Sequence, residues 1–148
     1  ETIRCHYSKA PFFDLYFPWC EKIFNSEWEF LLDLSLETIE YLREQLKIDT
    51  PLLRSSELGG VGNKTQRLIS ICKQLGATQY LSGEAAKDYI SEKEFADEGI
   101  ELGYQEYQHP EYQQRYAGFI PFMSTLDLLF NCGEKSLGIL KQTESSCT

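Results

Sequence analysis

Leu52-Leu53-Arg54-Ser55-Ser56-Glu57-Leu58-Gly59-Gly60-Val61-Gly62-Asn63-Lys64 is the stretch on which the fold turns. After the helix-breaking Asp49-Thr50-Pro51, the leucines predict a short buried strand over 52–58 whose exit turns polar. A glycine-rich turn follows, and Asn63 is placed to cap a helix that carries Leu68, Ile71, Cys72 and Leu75 on one face. Gly76 supplies the stop. A second strand is predicted over 78–81, left through Ser82-Gly83 into a helix over 85–90. Ser91-Glu92-Lys93-Glu94 then has the form of a capping box, closed by Gly99. Ile100, Leu102 and Tyr104 alternate with Glu101 and Gly103 and predict a third strand reaching about residue 107. Three strands joined by two helical crossovers predict an α/β fold: a three-layer, mainly parallel, right-handed β-α-β-α-β sheet with flanking helices.

Outward from this centre the chain is helical. The segment from Pro11 to Phe24 is dense in aromatics, with Pro18 at a helix start or kink. Ser26-Glu27-Trp28-Glu29 has the capping-box form, and Leu32, Leu36, Ile39, Leu42 and Leu46 recur at steps of three and four, giving an amphipathic helix that ends near Lys47. Residues 108–118 form a polar, tyrosine-rich loop. Ser124 then caps a helix with Leu126, Leu129 and Phe130, and a last short helix over 134–142 precedes a Ser- and Thr-containing tail. The expectation is a single α/β domain over residues 1–148 with additional N- and C-terminal helices.

Composition narrows the function classes. A chain of 148 residues buries roughly two thirds of its unfolded surface, and 42% apolar residues with nine Tyr, nine Phe and two Trp supply what a core needs. A net charge of −9 repels phosphate backbones and anionic lipid, which argues against nucleic acid as a partner. No window approaches the roughly 20 apolar residues of a membrane span. The five cysteines, Cys5, Cys20, Cys72, Cys132 and Cys147, are odd in number and lack a C-x-x-C pair. They read as reduced, structural thiols, and a cytoplasmic location follows. His6 and His109 are far apart and have no partner at a ligand spacing, so neither a metal nor a cofactor is expected. A start at Glu1-Thr2-Ile3-Arg4, without an initiator Met or an apolar leader, reads as part of a longer product.

In an open parallel sheet, ligands gather beyond the carboxyl ends of the strands. The first predicted strand delivers Arg54, Ser55, Ser56 and Glu57 there, followed by a helix start bearing Lys64, Thr65 and Arg67. Backbone N–H groups of that first turn, with Lys64, suit a phosphate or carboxylate, although no P-loop pattern is present. The second strand delivers Ser82 and Gly83, then Lys87 and Asp88. The plain alternative for the charged members is a solvated surface. His109, between Glu106 and Glu111, and Glu57 are candidate general bases. Tyr104, Tyr107, Tyr112 and Tyr116 offer faces for stacking on a sugar or base, or for packing on the sheet. No Ser-His-Asp triad can be assembled.

In this order, Arg54-Ser-Ser-Glu-Leu58, Lys64-Thr-x-Arg-Leu68, Ile71-Cys72-Lys73-x-Leu75-Gly76-Ala77, Tyr80-Leu-Ser-Gly83 and Lys87-Asp-Tyr89 resemble the WbqC-like protein family. So do Gly99-Ile-Glu-Leu102, Gln108-His-Pro110 and Leu126-Asp-Leu-Leu-Phe130. The resemblance runs from about His6 to Leu140 and implies the C-terminal portion of a longer protein. It further implies a role in O-antigen or related surface-polysaccharide biosynthesis, with transfer of glycine or another aminoacyl group onto a sugar as one activity. On that reading an anionic small molecule or nucleotide sugar is the partner of the strand-end residues. The alternative is a non-catalytic module that packs against an absent N-terminal region, a second copy or a partner enzyme through Phe12, Phe13, Trp19 and Trp28.

Overall fold

The computed structural model describes residues 1–142; Cys147 and the Ser- and Thr-containing tail lie outside them. In chain order they form α1 (Thr2–Tyr7), α2 (Phe13–Asn25), α3 (Leu31–Gln45), α4 (Lys64–Gln74), β1 (Gln79–Ser82), a 3-10 helix (Glu84–Asp88), α5 (Glu92–Asp97), β2 (Glu101–Tyr104), α6 (Thr125–Cys132), a 3-10 turn (Gly133–Lys135) and α7 (Ser136–Leu140). The chain divides into two compact units. Unit 1 takes Glu1–Thr50 together with the chain from His109 onward, and unit 2 takes Pro51–Gln108.

Unit 2 holds the sheet. β1 and β2 pair in parallel, with Gln79 opposite Glu101 and Ser82 opposite Tyr104. The expected first strand is absent: residues 52–58 make a turn, so the described residues contain one crossover where two were expected. The reason is local. Leu52 and Leu53 stay exposed, while Glu57 donates its N–H to the Arg54 carbonyl at 2.9 Å and its carboxylate stands 3.4 Å from the Arg54 guanidinium. That closure over three residues coils the segment where a strand would extend it. The predicted helix over 85–90 is likewise a 3-10 helix, and β2 stops at Tyr104.

The glycine stops and the second capping signal hold, but the face expected for α4 is displaced: Cys72 is buried as expected, whereas Leu75 is exposed and Leu68 and Ile71 are half-buried. Thr65, Ile69 and Cys72 bury one face of α4. α4 and α5 each end at a left-handed glycine, Gly76 at φ 64° and Gly99 at φ 69°. In each case the next residue donates its N–H back across five positions, Ala77 to Cys72 and Ile100 to Phe95, which is the Schellman closure, and a strand follows within three residues. Ser91 caps α5, its hydroxyl oxygen accepting from the Glu94 N–H at 3.4 Å. Asn63 occupies the N-cap position of α4 without a side-chain bond; its carbonyl serves instead, accepting from Gln66 at 3.1 Å. One apolar cluster, Ile69, Cys72, Ala86, Ile90, Phe95 and Ile100, fills the unit, and Phe95 at its centre is wholly buried.

Unit 1 is helical among its described residues. Phe13, Tyr16, Cys20 and Ile23 recur at steps of three and four and form the buried face of α2. They meet Leu46, Leu129 and Phe130, with Phe13 stacked on Phe17 at 4.4 Å. Pro18 lies inside α2, not at its start. Ser26 does not begin α3 but ends α2, its hydroxyl donating to the Lys22 carbonyl at 2.7 Å, and Phe30 stands at the N-cap position of α3 with no side-chain bond. A serine near a helix C-terminus satisfies an orphan carbonyl there, which defeats the capping-box reading. α3 buries none of its residues; Leu46, just beyond it, is buried.

Phe12, Phe13, Trp19 and Trp28 are not the exposed aromatics expected of an interface. Phe13 is buried, Trp19 stacks on Tyr41 with centroids 4.0 Å apart, Phe12 packs against the core, and Trp28 donates its indole N–H to the Ile23 carbonyl. Cys20, Cys72 and Cys132 are buried and Cys5 is exposed. Burial pushes the Cys20 thiol up to about 11, so it packs as a hydrophobe and is not a reactive thiolate.

Candidate functional site

At the carboxyl edge of the parallel pair, β1 ends in Ser82 and β2 in Tyr104. Ser82 is buried and its carbonyl accepts the Gln105 N–H at 2.8 Å, which holds the two strand exits together. Gly83 comes next, with open space where a Cβ would stand, so a ligand can approach the backbone there. Lys87 lies at the end of the following 3-10 helix with its ammonium 5.1 Å from the centroid of the Tyr104 ring and 3.4 Å from Glu84. Asp88 beside it is exposed.

Thr65 brings the start of α4 to the same edge. Buried in the first turn, its hydroxyl oxygen accepts the Ser91 N–H at 3.1 Å, and Ser91 closes the loop that leaves Ser82. Lys64, the first residue of α4, holds a left-handed backbone with φ 45°, unusual for a residue with a Cβ. Arg67 is exposed one turn on. Of the predicted set, Ser82, Gly83 and Lys87 stand at the strand exit, and Thr65 is tied by its hydroxyl to the end of the loop that leaves it.

Arg54, Ser55, Ser56 and Glu57 are not brought there. Gly59 lies beside Gln74, Gly60 against Ile71 and Gly62 against Gln66, so the chain climbs along α4 from its last residue toward its first. Gly59 therefore enters by Gln74 at the C-terminal end of α4, about 15 Å along the helix axis from Lys64, and the Arg54–Glu57 turn precedes it in the chain. Its members are exposed, with the Arg54–Glu57 pair in solvent.

His109 belongs to unit 1. Its Nδ1 lies 2.8 Å from the Pro110 carbonyl, which can only accept, so Nδ1 carries the proton and Nε2 is the basic atom of the neutral ring. The ring packs among Tyr112, Phe119 and Phe122.

Sequence reasoning missed the polar centre of unit 1. Asp127 is buried in the first turn of α6 and accepts three bonds, from the Tyr7 hydroxyl at 2.8 Å, the Tyr112 hydroxyl at 2.7 Å and the Gln114 amide at 3.1 Å. Burial first, and then the bond to this carboxylate, push both phenols well above the usual tyrosine range. The carboxylate lies in the wall of an otherwise mostly apolar cavity of about 400 Å³ lined by Ile3, His6, Tyr7, Tyr116 and Ile120 among others. A readable signal existed: an Asp inside the apolar run Leu126-Asp127-Leu128-Leu129-Phe130 must be satisfied if the run is buried. Its partners, drawn from α1 and the 109–124 segment, were not readable. Among the described residues no group of three or more His, Cys, Asp or Glu side chains is arranged to hold a metal ion.

Residues 1–139 match the WbqC-like protein family. The chain belongs to that family. A similar protein is the uncharacterized protein Rv1507c of Mycobacterium tuberculosis (strain ATCC 25618 / H37Rv), 33% identical over 142 residues. The match covers 95% of the WbqC-like chain described above and 62% of Rv1507c, so the chain spans less than two thirds of that relative's length. No solved structure matches significantly. No helix among the described residues is long and apolar enough to cross a membrane.

Proposed function

We propose that this protein acts as a cytoplasmic transferase in the biosynthesis of O-antigen or a related surface polysaccharide, moving an aminoacyl group such as glycyl onto a sugar. Its donor, or a nucleotide sugar, is seated by Lys64, Ser82, Gly83 and Lys87. In the transfer step the acceptor's O or N bonds to the acyl carbon as the bond to the donor's leaving group breaks, and the acceptor proton leaves with that group. Membership of the WbqC-like family supports the pathway. The observation that supports the binding site is the open Gly83 at the carboxyl edge of a parallel pair, where α/β sheets bind ligands, with Lys87 on the next element and the start of α4 tied to the same loop through Thr65.

The test is calorimetric titration of the chain with UDP-N-acetylglucosamine and with an aminoacyl adenylate analogue. Binding should weaken about tenfold in Lys64→Ala or Lys87→Ala, the scale of one charge-assisted contact to phosphate. Wild type that binds neither compound removes the anion edge from the account. That result would favour the interaction-module reading, which one observation supports: Phe24, Phe30 and Leu31, at the end of α2 and the start of α3, are 72%, 59% and 77% exposed.

A further inference from the structure

Lys9, Arg115 and Lys135 come from three separate parts of unit 1, the α1–α2 connection, the segment before α6 and the 3-10 turn after it. All three line one cavity of about 400 Å³. No Asp or Glu among the described residues lines it. In a chain with 23 acids and 14 basic side chains, that sorting of charge is notable. Arg4, Lys22, Arg43, Arg54, Lys73 and Lys87 each stand beside a glutamate, whereas Lys9, Arg115 and Lys135 stand in no ion pair among the described residues. Three like charges around one concavity repel one another until an anion enters.

A second observation points to the same occupant. The Arg115 Nε–H is buried without a hydrogen-bond partner, although its guanidinium is steadied 5.3 Å from the centroid of the Tyr116 ring. A buried donor left unpaired is costly, and a turn of the guanidinium toward an anion in the cavity would relieve it. The cavity wall is also firmly set. The Phe12 N–H donates to the Phe130 carbonyl at 3.0 Å, and the Phe12 ring lies so close over Gly133 that a Cβ there would stand 2.6 Å from two ring carbons. The remaining polar lining includes the amides of Gln113 and Asn131, the latter donating one N–H to the Asp127 carbonyl at 2.7 Å. Cations for a phosphate, amides for hydroxyls and an aromatic face for C–H groups are together the recognition chemistry of a sugar phosphate.

We infer that this cavity of unit 1 is a binding site for a sugar phosphate, with the phosphate held by Lys9, Arg115 and Lys135 and the sugar facing Phe12, Gln113 and Asn131. It goes beyond the function proposed above, whose anion is seated in unit 2, and it stands or falls separately.

Calorimetry of the chain with glucose 1-phosphate and, separately, with inorganic pyrophosphate tests it. Lys9 and Lys135 are exposed, so Lys9→Gln/Lys135→Gln leaves the core intact; Lys93→Gln/Lys141→Gln removes the same charge elsewhere. The expected result is glucose 1-phosphate binding that falls at least about tenfold in the Lys9/Lys135 double variant and in Arg115→Lys. It should stay within about twofold in the Lys93/Lys141 control and in Lys64→Ala and Lys87→Ala, the variants that probe unit 2. Equal weakening in the two double variants would reduce the effect to net charge and overturn the site. So would wild type that binds neither compound. Binding of pyrophosphate alone would overturn the sugar-phosphate assignment.

Discussion

In unit 2 the core joins neighbours in sequence: Ile69 and Cys72 of α4 meet Phe95 and Ile100 across a single crossover. In unit 1 the corresponding contacts span most of the chain. Phe13 of α2 packs on Phe130 of α6, and Tyr7 reaches Asp127 across 120 positions. The first arrangement is specified by signals within a dozen residues, glycine stops and a serine cap. The second requires closing a very long loop before any of its contacts form, a cost that grows with loop length and slows folding. The polar chemistry differs in the same sense. Unit 2 displays Lys87 at a strand exit, while unit 1 buries a carboxylate under two phenols and gathers its cations around a cavity.

The comparison is broken most forcefully through the two cores. Phe95→Ala and Phe130→Ala each remove a wholly buried ring and should each cost about 3–5 kcal/mol. Hydrogen exchange should show protection lost within Pro51–Gln108 in the first case and within the helices of unit 1 in the second. Simultaneous loss everywhere in both variants would mean the cores are one energetic unit.

Next in size is Gly133→Ala, on the order of 3 kcal/mol, because φ 54° with ψ −129° excludes most side chains and the new Cβ must displace Phe12. Gly76→Ala in unit 2 should cost only about 1 kcal/mol, since open space surrounds that position and only the left-handed backbone resists. Urea titrations of the two variants check the ranking.

The smallest effect sharpens the polar contrast. Folding raises the Tyr7 and Tyr112 phenols above their ordinary value of 10.0, so it favours their neutral forms. The stability they contribute is complete below about pH 10 and is lost as pH rises beyond it. Tyr7→Phe should cost about 1 kcal/mol at pH 7 and flatten the decline in stability above pH 10. An unchanged alkaline slope in both Tyr7→Phe and Tyr112→Phe would mean that folding does not raise these phenols.

The same contrast explains what was legible. The α4, β1, α5 and β2 succession could be read from Gly76, Ser91 and Gly99 because each acts on its own neighbours. The strand expected over 52–58 failed because Arg54 and Glu57 close a turn that hydropathy does not register. Ser26 misled because the same hydroxyl can finish one helix or begin the next. Ser82, Gly83 and Lys87 follow one another out of β1, so their place at the strand exit could be read from the strand that precedes them. That of Arg54–Glu57 could not, since it depended on the missing strand. Asp127, Arg115, Lys9 and Lys135 gave no sign of converging, because their partners lie far away along the chain.

Backbone amide shifts of the isotopically labelled chain, followed during titration with UDP-N-acetylglucosamine, test the proposed edge most directly. The account predicts perturbations clustered at Lys64, Thr65, Gly83 and Lys87, with Arg54–Glu57 unmoved. Perturbations centred on Arg54–Glu57, or none in unit 2, would contradict it.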